Sequence, residues 1–233
     1  MRRFLLLLLM LFPFCCFSQI AADKYLFLNY GVSLPQGDYA SSTNAASSGY
    51  ALRGPFYAVH FIWDRSYKIG FDLSISRSDN PFNVSSIQSY LNSSGTGIPL
   101  QVSVSDWQVT NYLIGIHVPL EYGENYTVGL KLQAGISNTV FPVEDIISNG
   151  TGIVASSPNA NSLLLNAGCV ANLRIYKNIF LNLSLEAMYT NPIQKSITIG
   201  STNPNIAGSL SQSLNETQNI TIINVSAGVG LKF

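Results

Sequence analysis

The sequence predicts an all-β fold in which eight antiparallel strands close up-and-down into a transmembrane barrel. Three observations predict it. Apolar and polar residues alternate with period two in eight successive segments, the period at which strand side chains change face. The connections between these segments are alternately short and long. Charged residues make up only 10% of the chain, and the net charge is zero, where a soluble protein carries roughly a quarter.

Residues 1–19 read as a cleaved secretory signal, leaving 20–233 as one barrel domain. Arg2 and Arg3 precede an apolar run over 4–12, and Phe17-Ser18-Gln19 offers the cleavage region. The run is short for a membrane anchor and is followed by Pro13. Cleavage before Cys15 or Cys16, as in a lipoprotein, meets bulky Phe14 where a small residue is wanted. Both cysteines leave with the signal. Cys169 then remains, as a small apolar residue with no intramolecular disulfide to form. No later stretch is apolar enough for a membrane helix. Membrane integration therefore requires a closed barrel, the other structure that satisfies every backbone polar group in lipid.

The strands follow in order. The first, 25–35, sets Leu26, Leu28, Tyr30, Val32 and Leu34 against Asn29, Gly31 and Ser33. The second, 54–63, sets Tyr57, Val59, Phe61 and Trp63 against Ala58, His60 and Ile62. The third, 67–77, opposes Ile69, Phe71 and Leu73 to Lys68, Asp72 and Ser74. The fourth, 105–120, opposes Tyr112, Ile114, Ile116 and Val118 to Asn111, Gly115 and His117. The fifth, 126–141, opposes Val128, Leu130 and Leu132 to Gly129, Lys131 and Gln133. The sixth, 162–176, opposes Leu165, Ala167, Cys169 and Leu173 to Asn166, Gly168, Asn172 and Arg174. The seventh, 179–190, opposes Leu181, Leu183 and Leu185 to Asn182, Ser184 and Glu186. The eighth, from 219, sets Val225, Ala227, Val229, Leu231 and Phe233 against Asn224, Ser226, Gly228, Gly230 and Lys232.

A soluble lipocalin-like carrier would turn the apolar faces inward, and alternation alone fits both cases. Strand length, low charge, the signal and the sorting of connections favour the membrane. A tilted span needs about 9–11 residues per strand. Short turns at 64–66, 121–125 and 176–178 alternate with long segments at 36–53, 78–104, 142–161 and 191–218. Outer-membrane barrels pair periplasmic turns with outer loops in this way. Trp63, Tyr67, Tyr122, Tyr126, Tyr176 and Phe233 cluster near the short turns, as an interfacial girdle would.

Inward charges at Asp72, Lys131, Arg174 and Glu186 predict a polar plug, because an eight-stranded barrel is just wide enough for side chains to fill it. Asp72 and Lys131 lie at similar heights above the short turns and are expected to pair, whereas Arg174 and Glu186 differ in height. His60 and His117 have no serine and carboxylate placed beside them by sequence, so a lipid-modifying hydrolase or acyltransferase is not expected. No phosphate loop, metal-ligand spacing or nucleophile elbow is present, and no cofactor is expected. No polybasic run points to an anionic surface, and nothing points to nucleic acid. Asn-x-Ser/Thr triplets such as those at Asn92, Asn149 and Asn215 reflect the abundance of these residues. Two of them, at Asn182 and Asn224, fall inside strands. The long segments, rich in Ser, Asn, Gly and Thr, are expected to be solvated loops and the place where binding resides.

Gly31-Val32-Ser33-Leu34-Pro35-Gln36-Gly37-Asp38-Tyr39, the central hairpin from Gly115 to Pro119 and Tyr126 to Gly135, the Ser18-Gln19 leader end and the final Phe233 together resemble the small outer-membrane β-barrel family abundant in the Bacteroidota. That family includes OmpA-type, OmpX-type and PorT-like barrels. The resemblance covers the whole mature chain and implies an exported, integral outer-membrane protein of a Gram-negative bacterium. It implies a non-catalytic role in structure or in surface binding and adhesion through the outer loops, with a PorT-like secretion-accessory role as the alternative. It further implies that Val229, Leu231 and Phe233 form a signal for the barrel-assembly machinery. The partners implied are outer-membrane lipid and an unidentified extracellular or periplasmic protein. No peptidoglycan-binding domain of the OmpA kind is expected.

Overall fold

The computed structural model describes residues 23–42, 48–65, 69–93, 101–123, 125–148, 151–156, 159–201 and 212–233. The signal segment and the Tyr67 and Lys68 positions lie outside them. In chain order the strands are β1 (Asp23–Gln36), β2 (Gly54–Arg65), β3 (Ile69–Asn80), β4 (Gln101–Val104), β5 (Trp107–Tyr122), β6 (Tyr126–Val140), β7 (Glu144–Ser148), β8 (Thr151–Ser156), β9 (Ala160–Tyr176), β10 (Ile179–Thr190), β11 (Ile193–Ser201), β12 (Gln212–Gln218) and β13 (Thr221–Lys232). Eight of them close a barrel in the order β1-β13-β10-β9-β6-β5-β3-β2, every pair antiparallel. These are the eight strands the alternation marks, and the fold class is the one the sequence predicts.

The alternation decides the facing. Leu28, Ile114, Leu132 and Val229 on the outer wall are each more than half exposed, while Asp72, His117, Glu186 and Asn224 on the inner wall are 0% exposed. Leu130, Leu183, Leu185 and Leu231 also face outward. An apolar exterior around a polar interior is the arrangement of a barrel whose solvent is lipid. Tyr30, Tyr57, Tyr112 and Tyr189 stand exposed on the outer wall toward its long-loop end, with Tyr30 and Tyr57 in contact at 5.3 Å.

One row of paired residues runs Leu26, Phe61, Leu73, Ile114, Ala134, Leu165, Tyr189, Thr221 and returns to β1 at Gln36, ten residues past its start (36 − 26 = 10). This stagger tilts the strands by about 35–45° and makes each hydrogen-bonded row climb helically around the wall.

The long connections are not plain loops. A second, five-stranded sheet has the order β12-β11-β8-β7-β4, which repeats the order of β13, β10, β9, β6 and β5 below it. The ladders continue across the rim. Gln108 pairs with Val140, the Ser105 amide donates to the Val143 carbonyl at 3.1 Å, and Val104 then pairs with Glu144. On the other flank Tyr189 pairs with Thr221, the Thr190 amide donates to the Ile220 carbonyl at 3.0 Å, and Ile193 pairs with Gln218. Five neighbouring wall strands thus project past the barrel while β1, β2 and β3 stop. On the low side the chain turns at Gly37–Tyr39 and forms a helix, α1 (Val84–Ser93). Asn83 caps that helix by accepting from the Ser86 amide at 3.2 Å. The expectation of solvated loops failed here because the wall ladders extend several residues beyond the membrane span, and their polar residues alternate less cleanly once both faces leave lipid.

Candidate functional site

The interior is stacked in three layers. The middle layer is polar. Lys131 Nζ lies 2.7 Å from Glu186 Oε1. Asn166 donates to Glu186 Oε2 at 2.9 Å, and Ser184 donates to Oε1 at 3.2 Å. His60 sits between two carboxylates, Nε2 at 3.6 Å from Glu186 and Nδ1 at 3.7 Å from Asp72, beyond direct hydrogen-bonding range. Around them run chains of neutral side chains. Asn29 donates to Asn182, and Asn182 to Asn172, each at 2.6 Å. Asn166 donates to Gln133 at 2.7 Å and Gln133 to Ser74 at 3.0 Å. Nearer the short turns, His117 Nδ1 meets Asp64 Oδ1 at 3.1 Å.

Two sequence expectations need correction. Lys131 pairs with Glu186, not with Asp72. Counting heights from the turns ignores the stagger. Lys131, Gly168 and Glu186 lie on one climbing row across β6, β9 and β10. Gly168 leaves the space between them, since a Cβ there would stand 3.2 Å from both Lys131 Cε and Glu186 Cγ. Asp72 instead faces His60. Arg174 is not in the lumen cluster: it is exposed at the short-turn end, with its guanidinium 5.5 Å above the Phe180 ring. Arg174 pairs with Phe180 in the unshifted part of the β9/β10 ladder, two residues before β9 ends at Tyr176, so its long side chain reaches the barrel mouth and not the middle layer.

The other two layers are apolar. Toward the long loops, Tyr39, Phe56, Trp107, Phe141, Ile220 and Ile222 belong to one buried cluster. Trp107 stands edge-on to Tyr39 at 5.2 Å and to Phe141 at 5.4 Å, and its indole donates to the Gly49 carbonyl at 2.8 Å, tying the first outer connection across the mouth. Burial pushes the Tyr39 hydroxyl well above its ordinary titration range. Toward the short turns, Tyr25, Phe27, Ile62 and Phe180 form a smaller cluster. The polar layer is therefore sealed at both ends. The sequence reading missed these seals. Adjacent apolar pairs at Leu113-Ile114, Leu164-Leu165, Phe180-Leu181 and Ile222-Ile223 carry the signal, because two consecutive apolar residues in a strand make both faces apolar.

The chemistry available inside is charge pairing. Both histidines face carboxylates. Among the described residues no three His, Cys, Asp or Glu side chains are grouped to hold a metal ion.

No family model matches the sequence, and no curated protein matches it. Solved structures match the fold. A major outer membrane protein from Thermus thermophilus superposes with a TM-score of 0.57 at 10% identity, covering 91% of this chain and 100% of that one. Neisserial surface protein A gives 0.47 at 14% identity, over 90% and 97% of the two chains. Ail, the attachment invasion locus protein of Yersinia pestis, gives 0.47 at 12%, over 91% and 99%. The Thermus likeness places the chain in the outer-membrane barrel fold, as the outward apolar wall requires.

Proposed function

We propose that this chain is an integral outer-membrane protein of a Gram-negative bacterium that works at the cell surface as a non-catalytic binding or adhesion barrel. The sequence resemblance supports placing it with the small barrels of the Bacteroidota, near the OmpA-type, OmpX-type and PorT-like members. One observation carries the functional reading: five of the eight wall strands continue past the rim as a sheet, above a lumen sealed by two apolar layers. A barrel closed to solutes has its working surface outside, and loops raised on a rigid scaffold are where binding resides. Among the described residues no strand pairs with the outer edge of β12, since β1 stops at Gln36, opposite Thr221. Unpaired backbone groups along such an edge accept an added strand.

The test replaces residues 192–218 with an Asn-Gly turn, which closes β10 onto β13 by a two-residue hairpin in the native register, Asn191 opposite Asn219. The barrel should still migrate heat-modifiably on gels, while cells carrying it lose adhesion to surfaces and to one another relative to the parent. Unchanged adhesion combined with altered protein secretion on gene deletion would replace this reading with the secretion-accessory one.

A further inference from the structure

The cations of this chain are scattered in sequence, but the fold gathers several of them. Lys24 is the second residue of β1, Lys232 ends β13, Lys177 sits in the β9–β10 turn and Arg174 lies two residues before the end of β9. These four strands are consecutive in the wall, so the arc covers three inter-strand spacings, about 14 Å. Main-chain bonds stitch it together: the Phe233 amide donates to the Lys24 carbonyl at 3.0 Å, and the Lys232 amide to the Asn178 carbonyl at 2.8 Å.

Among the described residues at this end, every side-chain carboxylate is engaged. Asp23 holds Lys232 at 2.7 Å, Asp64 holds His117 at 3.1 Å, and Glu121 accepts from the Tyr126 hydroxyl at 2.5 Å. Lys24, Arg174 and Lys177 have no side-chain carboxylate partner among them, and all three are exposed. At the long-loop end the balance is reversed: Asp38, Asp106, Glu144 and Asp145 outnumber Arg53, while Arg77 is held by Asp79 at 2.9 Å. The basic arc also carries exposed apolar side chains, Phe233, Ile175 and Tyr176, with the Lys177 ammonium 5.4 Å from the Tyr176 ring centre. Exposed rings beside exposed cations mark the level where hydrocarbon gives way to headgroups.

We propose that this arc binds anionic phospholipid headgroups of the periplasmic leaflet. Two ammonium groups and one guanidinium fork would meet phosphodiester oxygens, the guanidinium through paired N–H donors. Phe233 and Ile175 would sit among the acyl chains of the same lipids. The inference rests on the membrane placement proposed above.

The test refolds the full chain in phosphatidylcholine nanodiscs with and without phosphatidylglycerol and counts retained lipids by native mass spectrometry. The parent should retain phosphatidylglycerol over phosphatidylcholine at low salt. The preference should fall about fivefold per removed charge in K24Q/R174Q/K177Q, should weaken in high salt, and should be unchanged in the long-loop-end control R53Q/R77Q. Heat-modifiable migration reports folding of each variant, and the salt response of the parent serves if the triple variant fails to fold. Absence of a lipid preference in the parent, or its survival in the folded triple variant, would overturn the proposal. So would displacement of the lipid preference by a soluble polyglutamate peptide, which would point to an acidic protein partner. Failure to enter nanodiscs of either composition would instead overturn the membrane placement.

Discussion

The Lys131–Glu186 pair offers a measurement of what the sealed lumen does to a charge. Both side chains are almost fully buried, with 2.7 Å between Nζ and Oε1. Substituting Lys131→Met leaves the Glu186 carboxylate with Asn166, Ser184 and a distant His60, none of which is a fixed cation. Breaking a buried pair in this way costs about 3–5 kcal/mol, because the remaining ion stays desolvated without its countercharge. Lys131→Met combined with Glu186→Gln removes both charges, while the Gln carbonyl still accepts one of the two hydrogen bonds. The double variant should recover most of the loss and lie within about 1–2 kcal/mol of the parent, since neutral replacement of a buried pair is often nearly neutral. Equilibrium unfolding in urea, with barrels in short-chain lipid vesicles and read by tryptophan fluorescence, measures the cycle. Additive losses, with the double variant at least as unstable as the sum of the singles, would show that the two charges do not sense each other and that the lumen is wet enough to solvate each alone.

Other outcomes follow from the same geometry. Leu183→Arg, on the lipid-facing wall, should cost about 2–4 kcal/mol of folded stability near the bilayer middle, seen as a lower urea midpoint in vesicles. Phe233→Asp should lower the folded yield in the outer membrane and leave protease-sensitive chain in the periplasm, because it places a charge on an exposed ring position that packs toward Phe61 at 6.3 Å; a normal yield by protease protection would remove Phe233 from the assembly signal. Planar bilayers containing the purified chain should show no steady large conductance, given side-chain layers across the lumen. Lys177→Gly should stabilise by about 1 kcal/mol in the same urea assay, since Lys177 holds a left-handed φ of 33° that glycine adopts freely.

Much of the fold is legible in the sequence because a strand has one strict period. The inward set Asn182, Ser184, Glu186 and the outward set Leu181, Leu183, Leu185 need only that period to be told apart, and lipid penalises any slip by one residue. Partner identity was less legible. It depends on the ten-residue stagger, which no single strand records, and so the expected Asp72–Lys131 contact gave way to Lys131–Glu186. Arg174 has the parity of an inward residue, but it pairs with Phe180 beside the short turn, so its side chain stands at the barrel mouth and not in the middle layer. The projecting sheet was hidden for a different reason: runs such as Gln194 to Ser196 or Gln212 to Ser213 hold consecutive polar residues, so the alternation that marks a half-buried strand is absent there.

The seam between β1 and β13 sets an order of events in the life of the chain. Leu26 lies beside Leu231, 205 residues later in the sequence (231 − 26 = 205). The first strand to leave the export channel must therefore wait with one edge empty until the last strand arrives. Contacts this distant in sequence form slowly, since the loop they close must be ordered before any bond rewards it. Export and folding become separate stages, and between them a chain of 10% charge with long apolar faces crosses an aqueous compartment unpaired. How much of it reaches the membrane folded is then set by how long those apolar faces stay unpaired in water.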